Sequence, residues 1–194
     1  MAGVKLRYFV SLIIMALPLL TILILSREHR VNRIISFIEP ALDPRGSGYQ
    51  VLMSQSALRT GGVWGQGIGL GRYKFGLLPE AHSDFLFAIV GEELGFIGVL
   101  AVLLLFLYLG YRGFLIAVHA RYGVVRLAAF GLSGALVYQA LLNMAVVSGA
   151  VPATGITLPF FSAGGTSAIV SLWICGVLLN LSRYVNQDAG GERG

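Results

Sequence analysis

Four apolar runs limit what this chain can fold into. They lie at about residues 8–26, 85–109, 126–148 and 165–183. Each approaches the roughly 20 helical residues that cross about 30 Å of hydrocarbon, the last with help from apolar Ile156–Phe161 upstream. Backbone polar groups cannot stay unpaired in lipid, so such runs form helices unless they alternate like barrel strands. No such alternation is present. Composition agrees, with 56% hydrophobic residues, 12% charged and a mean hydropathy of +0.80. Soluble domains carry about 25% charged residues, so too few polar groups remain to cover a water-facing surface. The expected fold is an all-α integral membrane protein, one membrane domain over residues 1–194. It has about four transmembrane helices, a large structured extracytoplasmic loop and a re-entrant segment.

The first run follows Lys5 and Arg7, as a secretory leader would. It is long, and Leu25-Ser26-Arg27 offers no small-x-small cleavage pattern, so it reads as a retained span. The single cysteine, Cys175, excludes an internal disulfide framework and reads as a packing residue. A net charge of +5 does not point to nucleic acid, because the basic residues are divided among the loops of a membrane protein. It does bear on orientation. Arg112, His119, Arg121 and Arg126 lie between the second and third spans with no acid among them, which makes that short loop cytoplasmic. Both termini are then cytoplasmic and the 27–84 loop is extracytoplasmic.

That loop opens with Arg30, Arg33, Ile34, Ile35, Phe37 and Ile38, the pattern of a short interfacial helix. Pro40, Asp43-Pro44 and Gly46-Ser47-Gly48 end it. Tyr49–Leu58 predicts a second short helix. Gly61, Gly62, Gly65, Gly67, Gly69 and Gly71 follow, interleaved with Val63, Trp64, Ile68, Leu70, Tyr73 and Phe75. Long loops are functional or disordered. The apolar residues here favour a structured, partly lipid-facing surface.

Three constellations can carry chemistry. In Pro79-Glu80-Ala81-His82-Ser83-Asp84, the aspartate stands at the mouth of the second span. It can cap that helix. With Glu80 and His82 beside it, and Arg72 and Lys74 upstream, it can also serve as a general base near a bound phosphate. Glu92 and Glu93 come next. A straight helix puts them about 10–14 Å below Asp84, in hydrocarbon, where carboxylates are costly. They either clamp another helix or act directly. In the third, Pro152, Gly155, Pro159, Gly164 and Gly165 interrupt a span between Val151 and Ser167. Irregular backbone at that depth must be buried in protein or line a wet cavity. Free N–H groups near Gly164 and Gly165 could meet an anion there.

Together these segments resemble the SEDS family (shape, elongation, division and sporulation). The run Asn143…Gly149-x-x-Pro152-x-x-Gly155-Ile156…Phe160-Phe161-Ser162-Ala163-Gly164-Gly165-Thr166-Ser167 fits its C-terminal signature. Gly48-Tyr49-Gln50, Gln55-Ser56, Gly67-x-Gly69 and LPEAHSDF…GEELG fit its large outer loop. The EAH wording is closer to the FtsW and SpoVE branch than to RodA. Members have about ten spans in roughly twice this length, so the resemblance covers the C-terminal half.

The resemblance implies a peptidoglycan glycosyltransferase of the bacterial inner membrane that polymerises glycan strands from lipid II. The family's essential aspartate falls on Asp84, the catalytic candidate. Arg59, Arg72, Lys74, Glu80, His82, Ser162, Gly164 and Gly165 are substrate-binding candidates, and Glu92 and Glu93 are buried acids of structural or functional weight. A divalent cation, magnesium or manganese, could assist the departing pyrophosphate. Implied partners are lipid II, the growing glycan strand, membrane lipids, a class B penicillin-binding protein and other divisome or elongasome proteins, with no nucleic acid. Two other readings stay open: a lipid-linked precursor flippase, and a non-catalytic structural partner of the divisome. The residues do not distinguish division from elongation or sporulation.

Overall fold

A computed structural model describes residues 6–26, 28–40, 43, 46–75, 84–161 and 165–191. Six helices follow one another: α1 (Leu6–Leu25), α2 (Glu28–Ile38), α3 (Ser47–Gly61), α4 (Leu86–His119), α5 (Gly123–Val147) and α6 (Gly165–Gly191). No strand occurs among the described residues. The chain divides into two compact units, Met1–Tyr49 and Gln50–Gly194.

In the first unit, α1 is apolar and contains Pro18, which removes one helical hydrogen bond. The α2 helix ends in a polar turn. The Ser36 hydroxyl lies 2.9 Å from Asp43 Oδ2 and holds the Asp43 carboxyl below its ordinary value, helped by the N–H groups of Gly48, Gly46 and Ser47 against a smaller opposing effect of desolvation. A depressed carboxylate stabilises the fold above its unfolded pKa, and that stability is lost as pH falls through the lower folded value. Protection of the Gly48 amide, which donates to Asp43, relative to its intrinsic exchange rate should therefore fall below about pH 3.8. Protection unchanged down to pH 2 would remove the carboxylate from this turn.

In the second unit, three helices are long and apolar enough to cross a membrane: Leu86–His119, Gly123–Val147 and Gly165–Val185. Of the expected first span, Val10–Leu23 forms a shorter apolar helix. Helices α4 and α5 pack antiparallel. Small residues bring them close: a Cβ on Gly113 would meet Ser133, and one on Gly110 would lie 2.7 Å from Val137 Cγ2.

The second span is not the straight helix its apolar run suggests. At Gly95 the backbone turns to φ 67° and ψ −164°, a region essentially restricted to glycine. A straight helix separates residues eight apart by about 12 Å along its axis. Here a Cβ on Gly91 would lie only 3.3 Å from Val99 Cγ2, so the two arms fold sharply toward each other. The short arm, residues 86–94, tucks Phe87 and Ala88 into the same core as Val102 and Phe106 of the long arm, residues 96–119. The long arm, about 36 Å at helical rise, is the segment that crosses.

Candidate functional site

The break at Gly95 costs α4 the two bonds that Phe96 and Ile97 would make to the carbonyls of Glu92 and Glu93. The glycine loop replaces both. Gln66 N–H donates to Glu92 O (2.9 Å) and Gly67 N–H to Glu93 O (3.0 Å), while Phe96 N–H donates to Gly62 O (2.9 Å) and Ile97 N–H to Val63 O (3.4 Å). All four orphaned groups are satisfied, as a low-dielectric setting requires. The loop reaches in this far because Gly65, at φ 79°, packs its bare Cα against the Glu93 carbonyl.

The buried acids complete the interlock. Glu92 is fully buried. Its Oε1 accepts Arg72 N–H at 2.6 Å and its Oε2 accepts Tyr73 N–H at 3.2 Å. Glu93 Oε1 pairs with Lys74 Nζ at 2.7 Å. The clamp is therefore made to the glycine loop, not to another helix. Removing the Glu92 carboxylate leaves two part-buried N–H groups unmatched, at about 1 kcal/mol each. Glu92→Leu should thus loosen the loop and admit trypsin after Arg72 and Lys74. Digestion no faster than in the parent protein would show that the carboxylate is not what holds it.

Asp84 lies at the head of the short arm, half-buried. Ala88 N–H donates to Phe85 O at 2.9 Å. The Asp84 carbonyl instead accepts from Asn143 Nδ2 of α5 at 2.7 Å. Asn143 is fully buried, and its Nδ2 also donates to Ile156 O at 2.7 Å. One turn earlier on α5, Gln139 Nε2 donates to Thr157 O at 3.0 Å, and Thr157 Oγ1 lies 2.8 Å from Ser167 Oγ on α6. Two amide side chains on one helix face thus carry the irregular 152–159 backbone and the aspartate together. The Asn143 Oδ1 atom meets no donor among the described residues. A shallow cleft of about 460 Å³ opens beside this clasp, lined by Ala135, Tyr138, Gln139, Gly155, Ile156 and Thr157.

The folded-back arm reverses the expected order of depth. Gly110 faces Val137, so Asn143, six residues beyond Val137, is level with the long arm near Leu104. Asp84 is tied to Asn143 and lies at that level, along the span, whereas Glu92 and Glu93 sit by the turn at its end. A straight-helix reading puts the acid pair deeper than Asp84.

The other candidates separate. Arg59, in the last turn of α3, and Arg72 expose their side chains, while Lys74 is engaged by Glu93. Gly165 opens α6 and is exposed. Glu80, His82, Ser162 and Gly164 lie outside the described residues. No three His, Cys, Asp or Glu side chains gather into a metal site among the described residues, and the carboxylates of Glu92 and Glu93 are already occupied. No chemical step is assigned to a divalent cation.

Residues 1–187 match the sequence model of the cell cycle proteins FtsW, RodA and SpoVE. The chain belongs to the FtsW/RodA/SpoVE family. It is 45% identical over 181 residues to a probable peptidoglycan glycosyltransferase FtsW of a Geobacter species, covering 93% of this chain and 49% of that protein. It is 45% identical over 183 residues to stage V sporulation protein E of Bacillus subtilis, covering 94% and 50%. Among solved structures it is similar to a chain described under "Structural coordination of polymerization and crosslinking by a peptidoglycan synthase complex", with a TM-score of 0.72, 30% identity and coverage of 93% and 50%. The chain spans about half the length of the relatives it matches. In this FtsW/RodA/SpoVE member, Glu92 and Glu93 hold the glycine loop and Asn143 hydrogen-bonds the Asp84 carbonyl. The sequence marks the two acids as costly, but singles out neither the loop as their partner nor Asn143 as the aspartate's anchor. The signal for the first was available: six glycines in the loop and two flanking the acids are what close backbone approach requires.

Proposed function

We propose that the chain forms the C-terminal half of a peptidoglycan glycosyltransferase that extends glycan strands from lipid II, with Asp84 as general base. One observation carries the reading: Asp84 heads a folded-back arm, level with a point about a third of the way along the 96–119 arm, clasped to the broken 152–159 segment. Its relatives are named as glycosyltransferases of this kind.

The Asp84 carboxylate takes the proton of the acceptor sugar hydroxyl as that oxygen bonds to the donor's anomeric carbon. The bond from that carbon to the diphosphate oxygen breaks, and polyprenyl diphosphate leaves with the electron pair. The configuration inverts. Arg59 and Arg72, exposed on the loop side, are the better candidates to meet the departing diphosphate, because Lys74 is already neutralised by Glu93. The protein lies in the bacterial plasma membrane with both termini cytoplasmic and the glycine loop outside. A class B penicillin-binding protein is the fitting partner, because a solved relative comes from a peptidoglycan synthase complex.

The test places the chain in lipid nanodiscs, alone and co-produced with the remaining half of a full-length relative, and supplies purified lipid II. Glycan polymer on a gel supports the reading. No polymer in either format defeats it. Lipid II crossing vesicle membranes without polymer would favour the flippase.

A further inference from the structure

We propose that Asn143 is the positioning residue for Asp84, fixing the aspartate against the 156–157 backbone; the functional half of this statement rests on the glycosyltransferase reading. Three observations combine. The Asn143 amide is fully buried and spends both N–H bonds on backbone carbonyls, Asp84 O and Ile156 O, each at 2.7 Å. Both carbonyls belong to irregular backbone outside the helices. The neighbouring amide, Gln139, donates to Thr157 O. Gln139 therefore supports the broken segment alone, whereas Asn143 joins that segment to the residue that heads the short arm.

A general base acts only within hydrogen-bond reach of the proton it takes. The short arm ends at Asp84, and its far end is fixed at Gly95, about 16 Å away along the helix. The hydrogen bond from Asn143 ties that head of the arm to α5. A displacement of about 1 Å in such a group lowers turnover on the order of 100-fold. Asn143 touches no reacting atom, so its loss lowers turnover and leaves lipid II affinity unchanged.

The experiment compares Asn143→Leu, which keeps the branched shape and removes both donors, with Gln139→Leu in the same nanodiscs. Hydrogen exchange is read on peptides covering residues 84–90 and 153–158. The expected result is that Asn143→Leu quickens both peptides together and Gln139→Leu only the second. Polymerisation in Asn143→Leu falls about 100-fold at unchanged KM, with less than threefold loss in Gln139→Leu. If Asn143→Leu does not fold, Asn143→Asp, of equal size and without an N–H, is read on the same peptides. Unchanged exchange at 84–90 in the folded variant overturns the proposal, as does a KM that rises in step with the fall in turnover. If the parent protein makes no polymer, the glycosyltransferase reading fails, while the exchange data still decide whether Asn143 holds Asp84.

Discussion

Asp84→Asn should lower glycan polymerisation about 1000-fold, near the middle of the 100- to 10,000-fold range over which a positioned general base contributes. The amide has the size of the carboxylate but cannot take the acceptor's proton. The backbone carbonyl that meets Asn143 is untouched, so folding and lipid II binding should persist. The measurement is polymer formed per minute from purified lipid II, with thermal unfolding in detergent as the control. A variant that keeps full activity would remove Asp84 as the base. One that loses activity and folding together would return it to the role of a cap.

Gly95→Ala should be the most damaging single change for folding. A side chain at φ 67° and ψ −164° is strained by about 1–3 kcal/mol. The added Cβ would also meet Gly65 N and the Val63 carbonyl, two members of the interlock. Losing one of the exchanged bonds removes about 1 kcal/mol more. The combined loss of about 3 kcal/mol corresponds to a fall in Tm of about 9 °C in a chain of this size. Leu94→Ala, one residue away, is half-exposed and should shift Tm far less. Equal Tm values for Gly95→Ala and the parent protein would mean that the break does not need glycine.

The helical membrane class was legible because it follows from apolar length, and length is a one-dimensional property. The α2 pattern of Arg30, Arg33, Ile34, Ile35 and Phe37 was legible for the same reason: its period lies within the chain. The hairpin in α4 was not. Glycine at 95 permits a break but does not require one, and GEELG at 91–95 fits a straight helix as well as a bent one. What decides is a second segment, residues 62–67, that donates and accepts in place of the helix's own groups. No periodicity records that exchange. The clasp was hidden differently. Asn143 sits in an apolar helix where one amide says nothing about which carbonyls it will meet. Lys74 shows the same limit: nothing in its sequence surroundings tells that its Nζ lies 2.7 Å from Glu93 Oε1.

The exchange of bonds between the glycine loop and α4 also has a temporal side. Residues 62–73 are synthesised before residues 92–97, so the earlier segment must wait for the later one. Until they meet, the Glu92 carboxylate has no amide partners and the bend at Gly95 has no replacement donors. The turn can therefore close only once residue 97 has been made, and a chain ending before it would leave the loop unsecured. The clasp on Asp84 waits longer still, because Asn143 and Ile156 are synthesised later.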